Sequence, residues 1–192
     1  MELSAYIIAG GKSSRMGTDK GLLTFKNETF VQRIWNILQT ISTSVFVITS
    51  NKKYSALGLT IIEDIFPEKG PVGGIHTALH HSVYENVIII SCDAPFVSVE
   101  FWEWLLQEHQ KSNAEVTFPT LAGKDYPLLG IYTKNVENEF YQAIKKEQLK
   151  LRSLVSQLKC NIVNVSTKFE HNLYNINTPE EYQKLVKDED FN

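Results

Sequence analysis

Cysteine, methionine and proline are all scarce: two, two and six among 192 residues. Cys92 and Cys160 lack the paired spacing of a disulfide framework or a zinc site, which predicts a reducing, cytoplasmic setting. No apolar run approaches the ~20 residues that span a bilayer, and no basic stretch followed by an apolar one opens the chain. Neither a membrane nor an export route is therefore expected. Positive charge is not in excess: 19 Lys and Arg against 22 Asp and Glu leave a net charge of -3. No global field recommends nucleic acid as a partner, so any anion site has to be local. Repeats, low-complexity segments and Gly/Ser linkers are also missing. Residues 1–192 are read as a single domain, long enough for a three-layer core.

What the chain does have is an alternation of short apolar runs with helix-length amphipathic stretches. Tyr6 to Ile8, Val45 to Ile48, Thr60 to Ile62, Val87 to Ile90 and Val116 to Phe118 are β-branched-rich and do not alternate, as in strands buried on both faces. Between them, Phe30, Ile34, Ile37, Leu38 and Ile41 recur at helical spacing behind a Thr29/Gln32 capping box. Pro71 opens a second helix and Ser98 caps a third. Leu128 to Tyr132 and Ile162 to Val165 suggest further strands, Val136 to Glu147 a helix, and Thr178, Pro179 and Glu181 the start of a last one. The order β-α-β predicts an α/β fold, a three-layer α/β/α sandwich with a mainly parallel central sheet.

In such sheets ligands bind beyond the carboxyl ends of the strands. The segments there are AGGKSSRMGTDKG, TSNKK, EDIFPEKGPVGG and SCDAPF. The first fits neither the Walker pattern nor the dinucleotide fingerprint. It still joins Gly10 and Gly11, which open the backbone to a polyphosphate, with cations at Lys12, Arg15 and Lys20. Arg15 is suited to bidentate phosphate contacts and Lys20 to a point charge where negative charge grows. Asp93, at the end of the strongest strand, is placed to hold Mg2+ against phosphates. Cys92 beside it reads as a small core residue.

The run Ile8-Ala9-Gly10-Gly11-x-Ser13-x-Arg15-Met16-Gly17-x-Asp19-Lys20 resembles the signature loop of the molybdenum cofactor guanylyltransferases, members of the Rossmann-like nucleotidyltransferases. Cys92-Asp93-Ala94-Pro95-Phe96 resembles the metal-binding loop of that family, and Asn175-Ile176-Asn177-Thr178-Pro179-Glu180-Glu181 its NxNTPEE segment. The resemblance runs from Ile7 to Tyr182. It implies transfer of GMP from GTP to the phosphate of Mo-molybdopterin, with Mg2+ as cofactor and transient contact with proteins that insert the finished cofactor into molybdoenzymes. Arg15, Lys20 and Asp93 would be catalytic, and Asp93 would also hold the metal. Ile8, Ala9, Gly10, Gly11, Lys20, Thr49, Asp64 and Asp93 would bind nucleotide, and Asn175 and Asn177 the acceptor. Thr49 departs from the pattern, since related chains often carry Asn there and only Asn51 is kept. Asp125 to Leu128 would line the acceptor pocket, although the family often has His before this proline. A cytidylyltransferase for molybdopterin, a sugar-phosphate nucleotidyltransferase and a non-catalytic carrier stay open as alternatives. His76 and His80 read as a solvated helix face, and Trp102 and Trp104 as one core and one surface residue.

Overall fold

The computed structural model describes residues 2–9 and 19–187. Along the chain, β1 (Leu3–Ile8) leads through a hairpin of β2 (Thr24–Phe25) and β3 (Glu28–Thr29) into α1 (Phe30–Ile41) and β4 (Ser44–Ile48). Then come β5 (Ile61–Ile62), α2 (Gly70–His81), β6 (Asn86–Ser91) and α3 (Val99–Lys111). The last third holds β7 (Val116–Leu121), β8 (Lys124–Asp125), β9 (Leu129–Thr133), α4 (Glu137–Lys145), α5 (Leu151–Val155), β10 (Cys160–Asn164) and α6 (Pro179–Lys187).

The main sheet runs β10-β7-β9-β6-β1-β4-β5, with β8 paired to β7. β1 lies parallel between β4 and β6, and β5 and β10 are also paired in parallel. Among the described strands of this sheet, only β9, between β6 and β7, and the short β8 run antiparallel to their neighbours. The expected three-layer sandwich with a mainly parallel sheet is what the chain forms.

Alternation along β1 shows how the layers arise, because successive side chains leave a strand on opposite faces. Leu3, Ala5 and Ile7 pack with Val31, Ile34 and Leu38 of α1 and Phe101, Trp102 and Leu105 of α3. Tyr6 and Ile8 pack with Val72, Ile75 and Leu79 of α2, Phe140 and Ile144 of α4 and Leu154 of α5. A smaller cluster of Phe25, Phe30, Phe96, Ile176 and Leu185 ties the hairpin and α6 to the end of the sheet. Among the described residues no helix is long and apolar enough to cross a membrane.

Several local expectations are met by geometry. Thr29 accepts from the Gln32 N–H while Gln32 accepts from the Thr29 N–H, and Ser98 caps α3 through Phe101 N–H. Others need correcting. The predicted helix from Val136 begins with a 3-10 turn, Lys134–Val136, and ends at Lys145. His76 is not on a solvated face. It is 4% exposed, because α4 covers α2 and leaves Val72 to Leu79 buried all round. Its ring sits against Phe66 and Tyr141, whereas the exposed His80 pairs with Glu137 at 2.7 Å. Trp102 is fully buried, and Trp104 stacks on Phe169.

Candidate active site

The sheet changes direction of connection at β1: the chain moves from β1 outward to β4 and β5, then returns to β6 on the other side. Ligand crevices form at such switch points, past the carboxyl ends of the strands. Here those ends are stitched together by main-chain bonds: Ala9 N–H donates to Ile48 O at 3.0 Å and Cys92 N–H to Ile8 O at 3.1 Å. Ile8 and Ala9 are thus fixed as the floor of the crevice, both under a tenth exposed. Gly10, Gly11 and Arg15 lie outside the described residues.

The described chain resumes at Asp19, and three distant segments then meet on one ammonium group. Lys20 Nζ donates to Asn177 Oδ1 at 2.7 Å and to Asp93 Oδ2 at 3.2 Å. The Lys20 and Asp93 side chains are 19% and 15% exposed, so the pair is partly shielded yet reachable by a solute. The other oxygen of Asp93, Oδ1, is buried with no hydrogen-bond partner among the described residues. An unpaired buried oxygen is costly and invites a ligand.

Local structure explains why these groups face each other. Asp93 lies two residues past the end of β6, in a turn closed by Ala94 N–H to Ser91 O at 3.2 Å. Its carbonyl accepts from Ile176 N–H at 3.0 Å, which pins the segment carrying Asn175 and Asn177 beside it. Ile176 is fully buried, and burying an Ile is worth about 1.5–3 kcal/mol. Asn177 is then held by the cap of α6: Glu181 Oε2 accepts from the N–H groups of Asn177 at 2.6 Å and Thr178 at 3.1 Å, and Thr178 Oγ1 caps Glu181 N–H at 3.2 Å. The helix cap therefore also fixes an Asn beside Lys20. Asn175 lies half-buried two residues before Asn177 in the same segment.

Two further predicted positions take up local bonds. Thr49 is 4% exposed and its hydroxyl accepts from Asn51 N–H at 3.1 Å. Asp64 Oδ1 accepts from Phe66 N–H at 3.0 Å and from the Thr77 hydroxyl at 2.8 Å, fastening its loop to α2. The close approach of that loop needs Gly73, where a Cβ would stand 2.8 Å from Phe66 O and 3.3 Å from Asp64 Oδ2. Gly73 thus makes room for the chain's own loop. Asp125 ends β8 and Tyr126 follows it, with Tyr126 N–H bonded to Pro119 O at 3.0 Å.

Sequence reasoning missed the role of Asp19 and the whole of Tyr54. Asp19 Oδ1 accepts from the Tyr54 hydroxyl at 2.5 Å and from Gly21 N–H at 3.2 Å, while Oδ2 accepts from Asn51 Nδ2 at 2.9 Å. The one usable signal is that a buried tyrosine hydroxyl needs a partner, and NKKY lies one segment from an unpaired Asp. Cys92 is a buried core residue. Burial pushes its thiol well up, and the carboxylates of Asp93 and Asp19 push it further, against weaker opposing effects of Lys20 and the Gly21 N–H. A separate groove of about 720 Å³ between α2 and α4, lined by Phe66, His76, His80 and Tyr141, includes none of the Lys20 cluster.

An ammonium, a carboxylate and an amide are thus collected past the ends of parallel strands. The sequence model of one protein family, the MobA-like NTP transferase domain, matches residues 5–162. A relative from Flavobacterium johnsoniae named "Probable molybdenum cofactor guanylyltransferase" is 36% identical over 183 residues, covering 95% of this chain and 96% of its own. One of the same name from Carboxydothermus hydrogenoformans is 33% identical, covering 96% and 95%. The crystal structure of molybdopterin-guanine dinucleotide biosynthesis protein A from Archaeoglobus fulgidus superposes with a TM-score of 0.82 at 22% identity, over 95% of this chain and 96% of that one, and so shares the fold. The chain belongs to the MobA-like NTP transferase family.

Proposed function

We propose that this protein transfers GMP from GTP to the phosphate of Mo-molybdopterin, forming the guanine dinucleotide cofactor and pyrophosphate. The observation that carries this reading is the Lys20 ammonium held between Asp93 and Asn177 at the sheet's switch point. The names of the relatives support the choice of nucleotide and acceptor.

The attacking group is an oxygen of the acceptor phosphate, a monoester whose second pKa is about 6, so it is largely ionised at neutral pH. A strong general base is therefore unnecessary. Catalysis then comes from alignment of the two phosphates and from charge placed where it develops. Lys20 offsets negative charge on the α-phosphate and the departing pyrophosphate, with Arg15 as its bidentate companion. In this reading Ile8, Ala9, Gly10, Gly11, Thr49 and Asp64 are the residues that bind the nucleotide. Asn175 and Asn177 face the acceptor.

Mg2+ fits the donor set. Among the described residues Asp93 offers a hard oxygen with no partner, and no group of three or more His, Cys, Asp or Glu is gathered to cage a metal. That suits an ion held by one or two carboxylates that takes its remaining ligands from phosphate and water. When bound there it neutralises phosphate charge. The reading carries with it a cytoplasmic setting, in keeping with two free thiols, and a transient contact with proteins that insert the cofactor.

The test is pyrophosphate release by purified protein with Mg2+ and Mo-molybdopterin, comparing GTP, CTP, ATP and UTP. GTP should be strongly preferred. Preference for CTP would move the protein to cytidylyl transfer, and no release with any nucleotide would overturn transfer altogether.

A further inference from the structure

We infer that Tyr54 is a positioning residue for the transfer: with Asn51 it clamps Asp19, and through the main chain of 19–21 it fixes the Lys20 ammonium between Asp93 and Asn177. The inference rests on the catalytic role proposed above for Lys20.

A lysine ammonium rides on a flexible four-carbon stem, so its placement depends on how firmly its own backbone is held. Here both neighbours are held by one side chain. On the N-terminal side, the Asp19 carboxylate takes the Tyr54 hydroxyl at 2.5 Å and Asn51 Nδ2 at 2.9 Å. On the C-terminal side, Gly21 is wedged between Tyr54 and the end of β6. A Cβ there would lie 2.3 Å from the Tyr54 hydroxyl oxygen and 3.2 Å from Cys92 Cβ. Asp93 is the residue after Cys92, so the same contact sets the distance between the lysine's main chain and its carboxylate partner.

The clamp is itself rigid. Residues 51–54 form one turn in which Asn51 Oδ1 accepts from Lys53 N–H at 3.1 Å and Asn51 O from Tyr54 N–H at 3.2 Å. Tyr54 is fully buried. Burial first, then the neighbouring Cys92 and Asp19, push its phenol far above the ordinary value, so it stays protonated and keeps donating. A misplacement of about 1 Å in a reacting group can cost 10²-fold in rate, which is the scale of effect this clamp controls.

The experiment is steady-state pyrophosphate release with MgGTP and Mo-molybdopterin for Tyr54→Phe, Lys20→Ala and the double variant, with melting curves for each. Tyr54→Phe deletes only the hydroxyl. It should lower kcat about ten- to a hundredfold while KM for GTP stays within about threefold. In the Lys20→Ala background, the same change should lower kcat by less than about twofold, because the group it positions is gone. Asn51→Ser, which keeps an acceptor for Lys53 N–H but removes the amide donor, should reproduce the pattern more weakly and serves if Tyr54→Phe folds poorly. A Tyr54→Phe protein that melts earlier yet turns over at the parent rate would overturn the inference, as would losses that multiply independently in the double variant. Unchanged kcat in Lys20→Ala alone would instead refute the role of Lys20, and the inference with it.

Discussion

Replacing Gly21 with alanine should be among the most damaging single-methyl changes this chain can take. Gly21 has an ordinary φ, so alanine's backbone is allowed. The new Cβ, however, would stand 2.3 Å from the Tyr54 hydroxyl oxygen, where about 3.4 Å is comfortable. Tyr54 cannot swing away without breaking its bond to Asp19, and Cys92 closes the opposite side at 3.2 Å. Overpacking costs about 1–3 kcal/mol, and losing a hydrogen bond to a charged group about 1.5–3 kcal/mol. Alanine's smaller unfolded-state entropy returns about 0.4–1 kcal/mol. The net expectation is a loss of about 3 kcal/mol, or roughly 6–12 °C in Tm for a chain of this size. Thermal and urea unfolding followed by circular dichroism read this directly. Tyr54→Phe removes the atom at 2.3 Å and leaves ring carbon Cζ at 3.1 Å, so the double variant should lose about 1–2 kcal/mol less than the sum of the singles. A Gly21→Ala protein within about 2 °C of the parent, or strict additivity with Tyr54→Phe, would refute the wedge.

Lys20→Ala should cut kcat by about 10²–10³-fold while the Kd for GTP changes less than about tenfold; equal losses in both would contradict a role in the transition state. Asp93→Asn should raise the Mg2+ concentration needed for half-maximal GTP binding at least about tenfold, as read by calorimetric titration, and an unchanged titration removes Asp93 from the metal site. His76 is neutralised chiefly by burial, which lowers its pKa from 6.5 despite upward pulls from Glu137 and Asp64. Its contribution to stability is full above pH 6.5 and is lost as pH falls from there through the lowered folded value. His109 and His171 are also lowered by burial and act in the same direction. Because His76 Nδ1 is buried without a partner among the described residues, His76→Phe should gain about 1 kcal/mol at pH 7.5 and flatten the fall toward pH 5.5, measured as urea midpoints. Destabilisation at pH 7.5 would show that the ring nitrogen is satisfied.

The parts of this fold that follow local rules could be read from the chain. Thr29 with Gln32 and Thr178 with Glu181 announce helix starts by side-chain chemistry, and both caps form. The runs of Ile and Val in β1, β4 and β6 mark strands covered on both faces. What depended on partners was hidden. Leu128 to Tyr132 has a strand's composition, but nothing in it says that β9 runs antiparallel between β6 and β7. The β2–β3 hairpin turns at Lys26 and Asn27, both at positive φ, and lysine is no signal for that conformation. α2 looks half-solvated in sequence because its histidines resemble surface residues, yet α4 lies over it. At the candidate site the approach of Lys20 to Asp93 follows from topology, whereas Asn177 is placed near them only through the family resemblance. Asp19 stands in the sequence only as part of the signature run, since the tyrosine that explains it comes from the 3-10 turn after β4.

Following the label most directly tests the central claim. With Mg2+ and Mo-molybdopterin, GTP labelled at the α-phosphate should pass its label into a dinucleotide form of molybdopterin, while label at the γ-phosphate leaves in pyrophosphate. Lys20→Ala should slow both in parallel. If the α-label stays with free nucleotide, or the γ-label leaves as inorganic phosphate without a dinucleotide, then the chain does not transfer GMP.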